Sequence, residues 1–256
     1  MPTEPDPHEL PGLPPGLTAA WVTAPRSRPG PKPSHSLAQI VAAAVELADT
    51  EGLAAASLPN IAASLGLTTN ALYRYVGSKE ELLILLADTG LGPPPAPRAG
   101  ETDWRAAVRS WAHAALERYR ARPWLLDVSF RGGPVTPHHL SWTERLLAAL
   151  SAAGLSDVDA LGCARLVADF TRTTAERLRA RTDPDSADFP PRAAGVRAFL
   201  SPLLAERDYP HLAALAARGE YPAATSVDFG LDRILDGIAA LLPPSAPGDP
   251  STASVT

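Results

Sequence analysis

Apolar side chains recur at helical spacing along most of this chain, and no segment of useful length shows the two-residue period of a β-strand. The first stripe predicts a helix that begins near Ser34 or Ser36 and ends at Gly52, since a glycine often follows the last helical residue. Further helical patterns cover about 103–121, 138–153, 156–181, 193–206, 208–218 and 226–242. The pattern therefore predicts an all-α protein.

Capping residues divide the segment after the first helix into three shorter helices. Ser57 has the place of an N-cap for a helix that ends at Gly66, and Thr68 has the same place for the next helix. Ser78 and Glu81 have the spacing of a capping box that opens a further helix. The break at Gly66 is only about three residues long, which predicts a helix-turn-helix motif.

The helix that follows Thr68 carries polar residues that could read DNA. If Leu72 faces the core, the residues that point outward are Thr69, Asn70, Tyr73 and Arg74. Short polar groups at the start of such a helix reach base edges in the major groove, and Asn pairs bidentately with adenine. Donors suited to phosphates are Tyr73, Tyr75, Lys79 and the free N–H groups near Ser57 and Ser78. A hairpin of solvated helices would show the same pattern, so these residues alone leave both interpretations open.

The run from Ile61 to Leu82, IAASLGLTTNALYRYVGSKEEL, resembles the signature of the TetR family of bacterial repressors, most specifically in ALYRYV followed by SKEEL. The resemblance covers about 36–90. It implies that the residues facing the operator are Thr68, Thr69, Asn70, Ala71, Tyr73, Arg74, Tyr75 and Lys79. Pro59 departs from the family, because many members carry there a basic or polar residue that touches DNA. We therefore expect bases to be read from the third helix alone.

Composition divides the chain into four parts. Ten prolines among the first 35 residues predict a disordered arm, and a second proline cluster at 93–97 predicts a boundary within the rest. The expected parts are a disordered arm with a basic end (1–35), a three-helix helix-turn-helix domain (36–90), a larger helical ligand-binding and dimerisation domain (101–242) and a disordered tail (243–256).

The charge balance is unfavourable for a protein that binds DNA. The whole chain has a net charge of −5, and between Ser36 and Glu81 two cations stand against five carboxylates. The basic residues just before this segment are Arg26, Arg28 and Lys32. We hypothesise that this end of the arm orders along the minor groove or the DNA backbone. A solvated linker is the alternative.

Two segments of the larger domain, Arg122–Leu125 and Phe229–Ile238, resemble the ligand-binding and dimerisation domain of the tetracycline-repressor subgroup. The resemblance implies a homodimer that packs the long helix and the last helix of each subunit into a four-helix bundle and reads a palindromic operator. The expected interface is the apolar stripe of the last helix: Leu231, Ile234, Leu235, Ile238 and Leu242. A stripe of this kind also fits an ordinary core.

Aromatic residues from several helices, with polar residues on the long helix, indicate a pocket for a small apolar or amphipathic effector. The candidates are Trp111, Trp124, Phe130, Trp142, Asp169, Phe170 and Thr173. Each aromatic side chain taken singly fits a core equally well. Asp169 and Arg172, three residues apart, fit a surface ion pair as well as a binding site.

Several function classes lack their signatures in this sequence. His138 and His139 are adjacent on a helix and point different ways, and no third ligand is spaced for a metal, so we expect no metal and no cofactor. Because no phosphate loop or nucleophile elbow occurs, we expect a protein that is not an enzyme. The single cysteine, Cys163, and the absence of a long apolar run favour a cytoplasmic protein without a membrane partner.

Overall fold

The computed structural model describes residues 17–21, 35–97, 103–128, 135–182, 193–218 and 226–243. Within these ranges the regular structure is entirely helical, as the apolar periodicity predicts. The α-helices are α1 (Leu17–Trp21), α2 (Leu37–Glu51), α3 (Leu58–Ser64), α4 (Thr69–Leu72), α5 (Lys79–Leu91), α6 (Trp104–Ala121), α7 (Pro137–Ala152), α8 (Asp157–Thr182), α9 (Ala193–Glu206), α10 (Pro210–Ala217) and α11 (Val227–Ala239). None of the described helices is long and apolar enough to cross a membrane.

The head of the molecule consists of α2 to α5, and hydroxyl side chains set where these helices begin. The N-caps are Ser36, Ser57, Thr68 and Ser78, and each accepts a hydrogen bond from the backbone N–H three residues further on. Gly66 has a φ of +66°, a left-handed conformation that lets the chain turn tightly between α3 and α4. The predicted helix-turn-helix motif is confirmed.

The apolar core of the head extends beyond the segment expected to form it. Ile40, Ile61 and Leu72 are fully buried between the helices of the head. Trp124 and Leu125, from the 3₁₀ turn Pro123–Leu126 that follows α6, pack in the same cluster. The prolines at 93–97 therefore do not mark the end of the head's core, because residues that follow them in the sequence pack in it. A single apolar cluster joins the head to the rest of the chain.

A second core lies between α6, α7, α8 and α11. Its fully buried residues include Val108, Leu146, Leu150, Val167 and Leu231. Ion pairs also join α6 to α11, Arg105 with Asp236 and Arg109 with Asp232, and one helical turn further on Nε2 of His113 lies at hydrogen-bond distance, 3.1 Å, from Oδ1 of Asp228. Two helices of this four-helix body, α7 and α8, also form walls of the cavity described below.

The expectation of a wholly disordered arm over 1–35 is wrong for Leu17–Trp21, which form the helix α1. This helix packs against α5, and its Leu17 side chain is buried. The indole Nε1 of Trp21 donates a hydrogen bond to the backbone oxygen of Val135 over 2.9 Å. Apolar packing against α5 accounts for order in a segment that its proline-rich surroundings predict to be disordered. The tail, 244–256, lies outside the described residues.

Candidate DNA interface and ligand cavity

The polar face of α4 is built by burial of the opposite face. Leu72 and Val76 are fully buried in the head, whereas Asn70, Tyr73 and Arg74 are exposed. Tyr73 is 52% exposed, so its phenol is open to a partner at this face. Together with the turn that follows it, α4 therefore has the form of a recognition helix: it presents the amide of Asn70, and the turn presents a phenol and a guanidinium to solvent.

Neighbouring turns hold further predicted contacts at the edge of this face. The Oγ atom of Ser78 accepts from the N–H of Glu81 over 3.0 Å, and a carboxylate oxygen of Glu81 accepts from the N–H of Gly77 over 2.7 Å. These bonds fix the turn that leads into α5. Lys79 is the first residue of α5, and it is exposed beside this turn.

The start of α3 differs from that of α4 in what it offers to DNA. The Oγ atom of Ser57 accepts from the N–H of Asn60 over 3.4 Å, and the Asn60 side chain donates to the backbone oxygen of Ala55 over 3.0 Å. Pro59 is exposed in the first turn of α3, and its side chain has no polar group that could bind DNA. The amide of Asn60 thus makes a hydrogen bond within the head, and base reading from α4 alone stays a prediction.

The other predicted DNA contacts divide by exposure. Thr68 is exposed, whereas Ser57, Thr69, Ala71 and Tyr75 are half-buried. Tyr75 packs against the core of the head, so only part of its side chain is open to a phosphate. The three basic residues of the arm, Arg26, Arg28 and Lys32, lie outside the described residues.

A cavity of about 740 Å³ lies between α5, α6, α7 and α8. Trp111 and Trp142 line it with their rings edge to face, 5.5 Å apart between centroids. Trp111 donates from Nε1 to the backbone oxygen of Trp142 over 2.8 Å, and Trp142 donates to that of Gly92 over 2.9 Å. Because both indole N–H groups are satisfied, these residues offer apolar ring surface to an occupant of the cavity.

Polar groups from each of these helices also line the cavity. They are Asp88, Tyr119, His139 and Arg172, together with Asp169 and several threonines. Burial lowers the pKa of His139 and the nearby Arg172 lowers it further, while the carboxylate of Asp88 opposes both effects. Burial raises the pKa of Tyr119. A neutral imidazole and a protonated phenol therefore stand beside the charged groups at neutral pH.

The cavity includes some of the predicted ligand residues and not others. Trp111, Trp142 and Asp169 line it. Trp124 does not, because its ring belongs to the core of the head. Phe170 packs instead against the backbone of α11 at Gly230, and Thr173 is exposed elsewhere on α8. Phe130 lies outside the described residues.

Sequence reasoning missed Asp88, His139 and Tyr119 as lining residues. Asp88 falls on the apolar side of α5, next to Ala87 and three residues after the buried Leu85. A carboxylate on the buried face of a helix needs a hydrogen-bond partner. A charged residue at a position that the apolar period assigns to the core therefore indicates a specific polar contact. The contribution of His139 depends on how α7 packs, which no local pattern contains.

Burial within one chain corrects part of the expected dimer interface. Leu231, Leu235 and Ile238 are almost completely buried in the core that α11 forms with α6, α7 and α8 of the same protomer, so they cannot supply an open apolar surface to a partner. Ile234 and Leu242 pack against this core but are only half-buried, so their place in an interface stays a prediction. The large apolar residues that α8 and α11 do expose are Val158, Leu161, Leu166, Leu178 and Phe229, followed by Leu241 just after α11.

A recognition helix on a helix-turn-helix head, continuous with a helical body that encloses a cavity, defines a DNA-binding transcriptional regulator. Residues 40–86 match the family described as "Bacterial regulatory proteins, tetR family", and residues 96–242 match "Tetracyclin repressor-like, C-terminal domain". The chain belongs to the TetR family of transcriptional regulators.

Relatives with known roles agree with this assignment. The HTH-type transcriptional repressor DrrR1 of Streptomyces coeruleorubidus is 34% identical over 88% of this chain and 85% of that protein. A Saccharopolyspora erythraea HTH-type transcriptional regulator is 28% identical over 87% of this chain and 92% of its own length. Among solved structures, Streptomyces coelicolor ActR in complex with actinorhodin is similar with a TM-score of 0.69, at 26% identity over 83% of this chain and 99% of that one.

Proposed function

We propose that this protein is a cytoplasmic homodimeric repressor that binds a palindromic operator and leaves it when a small apolar or amphipathic ligand fills the cavity. One observation carries the proposal: α5 begins beside the recognition helix and ends in the wall of the cavity. Lys79 opens this helix at the DNA-binding face, and Asp88 and Leu91 line the cavity at its other end. A shift of the helix at one end therefore moves the other.

The DNA contacts follow from the exposed face of α4. Asn70 reads a base edge in the major groove, while Tyr73, Arg74 and Lys79 hold phosphates and set the register. The head has few cations to spare for the DNA backbone. We therefore assign the basic residues before α2 a role in affinity, as an arm that lies along the duplex.

The nature of the ligand follows from the cavity wall and from a relative. Two tryptophan rings and aliphatic side chains give the cavity apolar surface, and polar groups line it as well. A volume of about 740 Å³ is within the usual range for pockets that enclose small ligands. ActR, of similar fold, has been solved in complex with actinorhodin, which supports a small-molecule ligand here and makes actinorhodin a suitable probe.

Dimerisation is assigned to the outer faces of α8 and α11. Leu161 and Leu166 are about half exposed on α8, and Phe229 and Leu241 are exposed on or just after α11. Gly162 and Gly237 lie on the same helices with open space around them, so a partner helix could approach closely. A two-fold axis through this surface would present two recognition helices to the two halves of a palindrome.

A selection from random-sequence DNA tests the first half of the proposal. Purified protein is expected to enrich fragments with an inverted repeat whose halves lie about one helical turn apart. Fluorescence anisotropy with the enriched fragment then measures release by actinorhodin as the probe, and quenching of tryptophan fluorescence reports its binding. Enrichment of fragments without a repeat would contradict the dimeric operator, and quenching without release would contradict ligand control.

A further inference from the structure

The geometry points to Asp88 as a positioning residue that holds the DNA-binding head to α7. A hydrogen-bond donor on the ligand would compete with α7 for its carboxylate. The inference rests on the proposed function, because it assigns the residue through which an occupied cavity would act on the head. It also specifies a chemical requirement: the ligand carries a hydroxyl or ammonium group on the side that faces α5.

The carboxylate of Asp88 caps another helix. Its Oδ1 atom accepts hydrogen bonds from the backbone N–H groups of His138 at 3.0 Å and His139 at 3.3 Å, both in the first turn of α7. Oδ2 lies 3.2 Å from Nδ1 of His138, and the same nitrogen lies 2.9 Å from the backbone oxygen of Asp88. Thr136, the residue just before α7, makes no side-chain capping bond. The negative charge at a helix N-terminus makes this contact stronger than one between neutral groups.

Burial makes this contact specific rather than incidental. Asp88 is 9% exposed, and it is the only charged residue among the buried ones of the described chain. A buried carboxylate needs its hydrogen-bond partners, since an unpaired one costs far more than an exposed one. The bonds to α7 therefore hold α5 in one position relative to the body as long as nothing else engages the carboxylate.

The same residue lines the ligand cavity. His139 lines the cavity as well, and its backbone N–H donates a hydrogen bond to Asp88. A ligand that places a donor beside Asp88 offers the carboxylate a second partner and weakens its bonds to α7. Because α5 is the last helix of the head, this exchange shifts its first turn, where Lys79 lies, together with the recognition helix that precedes it. A ligand without such a donor fills the cavity but leaves the bonds to α7 in place.

Asp88→Asn tests the inference because it keeps the shape of the side chain and removes its charge. We expect about tenfold weaker operator binding without ligand, since the variant partly mimics the ligand-bound state, and a smaller further loss with actinorhodin than in the wild type. Hydrogen exchange is expected to rise at the amides of His138 and His139. Asp88→Glu restores the charge and is expected to recover part of the operator affinity.

A matched variant separates this role from general destabilisation. Asp49→Asn weakens a different contact between head and body, at a carboxylate that does not line the cavity. This variant is expected to keep the ratio of operator affinities with and without actinorhodin. Equal ratios for Asp88→Asn and the wild type, or the same change of ratio in Asp49→Asn, would overturn the inference.

The two proposals fail in different ways. If actinorhodin leaves the wild type on its operator, the proposed ligand control fails for this probe. Asp88 is then judged from the ligand-free measurements. If Asp88→Asn leaves both the operator affinity and the hydrogen exchange at His138 and His139 unchanged, the role of Asp88 is refuted. A loss of operator affinity confined to Asp88→Asn would support that role.

Discussion

The indole Nε1 of Trp124 donates a hydrogen bond to Oδ1 of Asp49 over 2.7 Å, joining residues 75 positions apart in the sequence. Arg122 reinforces this contact, since its Nε lies 3.1 Å from both carboxylate oxygens of Asp49 and its Nη1 donates to the backbone oxygen of Gly90 over 2.9 Å. The turn after α6 thus binds the first and last helices of the head at once. The head is a motif in sequence but not a separate unit in packing.

An excised head, residues 35–97, is therefore expected to be less stable than the same segment in the intact chain. It would lose Trp124 and Leu125 from its core and leave the carboxylate of Asp49 without its donors. Removal of one large aromatic side chain from a core costs about 3–5 kcal/mol, a large share of the stability of a small domain. Circular dichroism and thermal unfolding of the fragment check this. A cooperative transition at the temperature of the full chain would contradict it.

The close approach of α5 to Trp124 predicts the effect of a single methyl group. A Cβ at Gly90 would collide with Cη2 of Trp124 and lie 2.8 Å from Cζ2. We expect Gly90→Ala to lower the free energy of unfolding by about 1–3 kcal/mol, measured by urea denaturation. The control is Gly195→Ala in α9, where nothing lies within 4 Å of the new Cβ. Equal stability of the two variants would show that the Trp124 ring does not press on this helix.

The recognition helix predicts two kinds of DNA-binding variant. Asn70→Ala is expected to change the preferred base at one position of each half-site, with a cost of about 1–3 kcal/mol for the original sequence. Lys79→Ala and Tyr73→Ala are expected to weaken binding to all sequences alike, and Lys79→Ala also to reduce its salt dependence. Repeated selection and anisotropy at several salt concentrations distinguish these results. An identical selected sequence for Asn70→Ala would remove its assignment as a base reader.

Local patterns predicted the head well because its signals are local. The hydroxyl caps at Ser57, Thr68 and Ser78 act within three residues, and the turn at Gly66 needs only its own conformation. The stripe on α11 shows the limit of such reasoning. Its period indicates that Leu231 and its neighbours are buried, but a period carries no information on whether the same chain or a second copy covers them. The same holds for Trp124, whose aromatic character fits a core and a pocket alike.

The outer faces of α8 and α11 can be tested without knowledge of the operator. Leu166 is 52% exposed on α8, and a charge there is expected to oppose burial against a second subunit. Leu166→Glu should shift the sedimentation coefficient from that of a dimer to that of a monomer and weaken binding to the palindrome. Tyr209→Glu, at an exposed aromatic residue between α9 and α10, serves as the control. An unchanged dimer in Leu166→Glu would place the interface elsewhere.

His139 makes the stability of the body depend on pH. Burial and the positive charge of Arg172 lower the pKa of its imidazole below the ordinary value of 6.5, so the unfolded chain takes up a proton before the folded one as the pH falls. The contribution of the neutral imidazole to the free energy of unfolding is therefore complete above about pH 6.5 and is lost as the pH falls through the pKa of the folded state.

Urea denaturation of the wild type and of His139→Gln at pH 7.5 and 5.5 checks this dependence on pH. The variant is expected to lose less stability over this interval, whereas His211→Gln, at an exposed residue on α10, should lose as much as the wild type. Equal losses in all three proteins would mean that the protonation of His139 is not coupled to folding.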